Sequence, residues 1–274
     1  MHLQFILTYL IEEFKYFLLY NVLNYLQSVH ATLNVVGRFF TALPRICIIM
    51  NEKIDVFIIN TEDPFLGDVL GCDIRIIDPQ ATVADLMDAL DGFAADHLAD
   101  CKGCDGCCQE RAPLLSADVP ALGGMLPRDT AWPAHAVVAS FGLLRIDDGV
   151  SDVMLRRDAD GVCAQLDREN RCCTIWPQRP FVCRSHFCLP RSFLLEQLRQ
   201  NIANLGLNEL TRLLLAEEAN GAPPLDGVWL SERLKGDDYQ PNAFSGKSDY
   251  HDILLKDCVD PELWKELCSE RKGC

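Results

Sequence analysis

The sequence predicts an α+β fold, and three observations carry that expectation: paired β-branched runs, helical stretches with start signals, and cysteines gathered in mid-chain. Ile54 to Asn60 and Cys72 to Asp78 are short β-branched runs separated by a turn-rich segment with Asp63, Pro64 and Gly67, so they read as two paired strands. Thr82 with Asp85 three residues on resembles a capping box. Val83, Leu86, Met87, Leu90, Phe93, Ala94 and Leu98 then recur on one face of the helix that follows, which delivers the chain into Cys101.

Beyond the cysteines the elements become shorter. Val137 to Ile146 is apolar and reads as a strand turned by Asp147, Asp148 and Gly149. Val153 to Arg157 is expected to pair with Val162 to Leu166 across the turn Asp158 to Gly161, and Asp167 to Arg171 forms the next turn. Ser192 to Leu205 and Asn208 to Ala219 read as two helices with Gly206 between them, and Leu194, Leu195, Leu198 and Ile202 supply an apolar face. Residues 222–259 are polar and turn-rich, and a last helix is expected over Pro261 to Lys272.

Composition narrows the function classes. A chain of 274 residues buries a core without covalent staples, so its fourteen cysteines need another reason. The N-terminus has no basic n-region, and Glu12, Glu13 and Lys15 interrupt its apolar run, so a secreted disulfide scaffold is not expected. The thiols read as reduced and the protein as cytoplasmic. A net charge of −15 and a pI near 4.7 argue against nucleic acid, whose phosphates are met by clustered Lys and Arg.

Residues 1–49 differ in composition from the rest. They hold Tyr9, Tyr16, Tyr20 and Tyr25, four of the six tyrosines, and carry two acids against three bases. The uncharged run Met1 to Ile11 is far shorter than the roughly 20 residues a bilayer needs, and Phe17 to Leu33 contains Asn21, Asn24, Gln27 and His30. No membrane partner is expected, although an interfacial amphipathic helix is an alternative whose polar face lacks Lys and Arg. The favoured expectation takes Met50 as the native start and residues 1–49 as translated upstream sequence.

The chemistry concentrates in CKGCDGCC, Cys101 to Cys108, and in the answering run from Cys163 to Cys188. C-x2-C-x2-C spacing puts Cys101, Cys104 and Cys107 on one tight loop, within reach of a single metal ion or iron–sulfur cluster. Gly103 and Gly106 each precede a cysteine and let the backbone turn N–H groups toward sulfur. Cys163, Cys173 and Cys183 fall ten residues apart; a hairpin brings the first two together, and Pro180 at a helix N1 position places Cys183 in a first turn, with Cys188 nearby. Cys107 and Cys108 are neighbours whose side chains diverge in extended backbone, which suggests two sites, or one site and a packed thiol. Arg179 and Arg184 are candidate counter-charges, or else they cap surface carboxylates. His186 reads as structural beside so many thiols, Asp167 as closing a turn, and Cys47, Cys72, Cys258, Cys268 and Cys274 as incidental.

These residues carry a resemblance. CxxCxxCC at Cys101, Cys104, Cys107 and Cys108, C-x-x-L-D at Cys163 to Asp167, and C-x-I-W-x-x-R-P-x-x-C-R from Cys173 to Arg184 are similar to the YkgJ-type cysteine-cluster family. That family is described as zinc- or iron-chelating and often labelled iron–sulfur. The resemblance covers roughly residues 95 to 190 and implies eight metal ligands: Cys101, Cys104, Cys107, Cys108, Cys163, Cys173, Cys183 and Cys188. Trp176 stands where the family usually has tyrosine, and Cys172 is an additional thiol that could substitute for Cys173.

The fold expected is therefore a small cysteine-rich, metal-centred α+β domain with short strands and a helical cover. Its parts are an N-terminal extension over 1–49, a strand–strand–helix lead-in over 50–100, the cysteine-cluster core over 101–190, and a helical region and tail over 191–274. The function expected is metal binding, an iron–sulfur cluster ahead of zinc, with no reaction specified. The alternatives are a structural zinc module that serves an unknown protein partner and a protein lysine methylase-like enzyme, since flagellin lysine N-methylases carry a similar cysteine pattern. The enzyme class lacks support from the residues: no G-x-G-x-x-G follows a strand, and no C-x3-C-x2-C is present.

Overall fold

The computed structural model describes residues 53–63, 67–98, 105–186 and 188–270, all within the unit Ile49–Cys274. The expectations for residues 1–49, and those for Cys101, Cys104 and Cys274, lie outside the described residues. Mixed helices and short antiparallel strands make up the described chain, as an α+β domain requires.

The lead-in forms as its pattern predicts. β1 (Ile54–Asp63) and β2 (Gly67–Ile76) pair antiparallel with Ile54 opposite Ile76. Helix α1 (Val83–His97) begins at the capping box: Asp85 N–H donates to Thr82 Oγ1, and Thr82 N–H donates to the Asp85 carboxylate at 2.8 Å. Ile74, Leu86, Leu90 and Phe93 interlock in a first apolar cluster beneath this layer.

After two short elements comes α2 (Val119–Gly123), then α3 (Pro133–Phe141), which replaces the front half of the strand expected over Val137 to Ile146. The reason is tertiary. The Glu217 carboxylate accepts from the N–H groups of Ala134 and His135 at 3.1 and 2.8 Å, and so caps a helix whose own residues supply no side-chain cap. Only Gly142–Asp147 becomes a strand, β3, and it pairs with β4 (Val150–Leu155) across Asp148 and Gly149, both at positive φ. The pairing expected between Val153–Arg157 and Val162–Leu166 survives as the single bridge between Arg157 and Cys163.

The helical cover is one element, not two. α5 runs unbroken from Phe193 to Ala219 over 27 residues, through Gly206. Gly206 is present for close packing: a β-carbon there would lie 2.5 Å from Leu115 Cγ. The helix is therefore a spine, with Leu195, Leu198 and Ile202 in the first apolar cluster and Leu210 and Leu214 in the second, where they meet Val137, Val153 and Ile175. Gly206→Ala should destabilise the protein by about 1–3 kcal/mol in chemical denaturation, because overpacking outweighs the gain in helix propensity.

The last expected helix appears as Pro261–Leu267, capped by Asp260, whose carboxylate accepts from the Glu262 and Leu263 N–H groups at 2.9 Å. Among the described residues no helix is long and apolar enough to cross a membrane.

Candidate metal centre

Four segments bring cysteines together, and each is fixed by backbone bonds. Cys107 and Cys108 lie in a single 3-10 turn, Gly106–Gln109, and the Cys108 carbonyl accepts from Cys163 N–H at 2.9 Å. β5 (Leu166–Asp167) pairs with β6 (Cys172–Cys173), with Leu166 opposite Cys173, and Cys163 and Cys173 both line one cavity. Asp167 closes the turn between them by accepting from the N–H groups of Glu169 and Asn170, both at 3.0 Å.

Cys183 sits in α4 (Phe181–Arg184), one helical turn whose N-cap, not its N1 residue, is Pro180. That turn is held by a residue the sequence did not single out for the site. Asp118 is buried, and its carboxylate accepts from Phe181 N–H at 3.0 Å, from Leu115 N–H at 2.8 Å and from the Tyr250 hydroxyl at 2.6 Å. Phe181 itself is fully buried in the first cluster, while Cys183, Cys163 and Cys173 pack on the second. Past Cys188 the chain is fastened to β2, since Cys72 N–H donates to the Pro190 carbonyl at 2.9 Å and Ser192 N–H to the Cys72 carbonyl at 2.8 Å.

The result is one cavity of about 370 Å³ whose lining includes Cys107, Cys108, Cys163, Cys172, Cys173, Cys183 and Cys188. Six of these belong to the expected eight, and Cys172 is the extra thiol. Ala112, Leu155, Ile175, Trp176 and Pro180 supply apolar wall. Among the described residues no three His, Cys, Asp or Glu side chains converge closely enough to hold a metal ion, so the described thiols ring the cavity without closing on a point.

Electrostatics in the cavity oppose bare thiolates. Burial pushes the Cys163, Cys173 and Cys183 thiols upward, and neighbouring cysteines add to the push on each, while Arg157 acts against it at Cys163 and Arg179 at Cys173. A bond between the two side chains pulls Cys107 down to about 6 and drives Cys108 up. One thiolate is thus tolerated easily and several are not, unless a cation joins them.

The two arginines divide. Arg184 donates to Asp91 from Nε at 3.0 Å and from Nη2 at 2.6 Å, and to Asp88 at 3.1 Å, which ties α4 to α1. Surface carboxylates are its partners. Arg179 stays at the cavity, 3.5 Å above the Trp176 ring centroid and 3.8 Å from Asp91. His186 also lines the cavity, and burial followed by the charges of Arg191 and Arg199 lowers its pKa, which favours a neutral ring. Of the cysteines expected to be incidental, Cys72 and Cys258 are buried away from the cavity, with burial raising them to about 11 and about 12.

Cys172 and Cys173 both reach the cavity, so variants must separate them. Cys173→Ser should lose metal while Cys172→Ser keeps it, by metal analysis of the purified variants; the reverse pattern would shift the ligand assignment by one residue.

No curated protein and no solved structure matches the chain. The arrangement of thiols nevertheless has a family counterpart: residues 100–202 match the CxxCxxCC family model, described as a "Putative zinc- or iron-chelating domain".

Proposed function

We propose that Cys101, Cys104, Cys107, Cys108, Cys163, Cys173, Cys183 and Cys188 hold metal, as an iron–sulfur cluster in preference to zinc. The observation that supports this reading is the single cavity shared by seven thiols from separate segments of chain. The donor set fits: thiolates are soft ligands that select zinc and iron–sulfur clusters over hard cations, and a cation relieves the mutual repulsion among these sulfurs. A cluster, when bound, would supply one-electron chemistry or sensing. The chain's own residues position the donors: Asp118 orients the turn bearing Cys183, the β5–β6 hairpin sets Cys173, and Leu155, Ile175 and Trp176 supply apolar wall.

Anaerobic purification with iron, zinc and sulfide analysis and an absorption spectrum tests the choice. A brown protein with inorganic sulfide is expected. A colourless protein with stoichiometric zinc would turn the assignment to a structural module.

That second reading has its own support. Residues 156–190 contain only two-residue strands, a 3-10 turn and one helical turn, too little regular structure to hold itself, so metal-binding energy would serve there as folding energy. The module would then present a surface to a protein partner, and Trp176, 46% accessible, is an aromatic residue exposed there.

A further inference from the structure

The cations around the cavity differ in what they already hold. Arg184 is engaged by Asp88 and Asp91, and Arg179 lies on Trp176 with Asp91 in reach. Arg157 stands apart. It is the register partner of Cys163, and in an antiparallel pair directly opposite side chains share a face with β-carbons about 5 Å apart. Its Nη2 donates to the carbonyl of Gln109, the residue after Cys108. The guanidinium therefore spans the two segments that carry Cys163 and Cys107–Cys108, and it lines the cavity between them. Its Nε–H is buried without an acceptor, and no carboxylate among the described residues pairs with it. A buried donor without an acceptor is costly, and a thiolate-bound metal centre carries excess negative charge; each supplies what the other lacks.

We infer that Arg157 is a positioning residue of the metal centre, donating from Nε–H to a metal-bound cysteine sulfur on the Cys163 side and offsetting the charge of the thiolates. The inference rests on the metal reading above, and the test keeps the two apart.

The full chain is loaded with zinc, and release to a chromogenic chelator is followed. Arg157→Gln should release metal about 10–100-fold faster than the parent, Arg157→Lys, which keeps the charge without Nε–H, should fall between them, and the exposed Arg145→Gln should match the parent. Equal release from Arg157→Gln and the parent would overturn the role of Arg157 and leave the metal reading standing. A parent chain that takes up neither zinc nor iron would overturn both. Should Arg157→Gln fail to fold, NMR of the parent decides: the Arg157 Nε–H should exchange more slowly with solvent once zinc is bound, and unchanged exchange would overturn the inference.

Discussion

Cys183→Ser should strip metal from the protein and lower its stability by at least about 3 kcal/mol, the largest effect expected of any single substitution. Serine keeps the shape of cysteine but is a poor ligand for a soft ion, and Cys183 packs on the second apolar cluster, where burial pushes its thiol up. Its helical turn is four residues long and cannot stand alone; Phe181 and Asp118 hold it, and the proposed metal would add a third tie. Metal analysis and chemical unfolding of the parent and variant, each with and without chelator, check the claim. The stability difference should collapse when chelator is present, because the apo forms lack the interaction in question. A difference that persists undiminished would make Cys183 a packing residue.

Asp118 carries the second large effect, and it shows as a dependence on pH. Burial outweighs three hydrogen-bond donors and lifts its carboxyl from 3.8 to about 6. A folded-state pKa above the unfolded one means that the folded state holds the proton more tightly. The stability from that proton is fully present below the ordinary value of 3.8 and is lost as pH rises through about 6. The loss amounts to roughly 3 kcal/mol across that window. Asp118→Asn cannot titrate, and it turns an amide N–H₂ toward one of the backbone donors, a cost of about 1–3 kcal/mol that does not vary with pH. Urea unfolding of both chains between pH 3.5 and 7.5 should therefore show the parent losing stability relative to the variant as pH rises. A difference flat in pH would show that the carboxyl is not raised.

The sequence was legible where local signals and tertiary packing agree. The Thr82–Asp85 box, the β1–β2 pair and the Asp167 turn are each written within a few residues, and each forms as read. Cysteine spacing together with the family resemblance pointed to six thiols that share a cavity. What local pattern missed was decided from afar. Val137 and Val138 are helical because Glu217, some eighty residues on, caps the helix N-terminus. Gly206 looked like a helix end because glycine often is one, but Leu115 needs the space above it and the helix continues. Arg184 was readable either as a counter-charge or as a cap on surface carboxylates, and a helical turn that aims it at Asp88 and Asp91 on α1 decides for the second. The role of Asp118 at the Cys183 turn lay beyond local pattern, because its donors at Phe181 and Tyr250 are 63 and 132 residues away.

The central claim is that the cavity's cysteines, and not its harder donors, hold the metal. X-ray absorption at the metal edge of the anaerobically purified full chain reads the coordinating atoms directly. A first shell of sulfur at about 2.3 Å is predicted, with iron at a short second-shell distance if the centre is a cluster. A first shell dominated by nitrogen or oxygen near 2.0–2.1 Å would place the metal on His186, Glu110 or water, and would contradict the account.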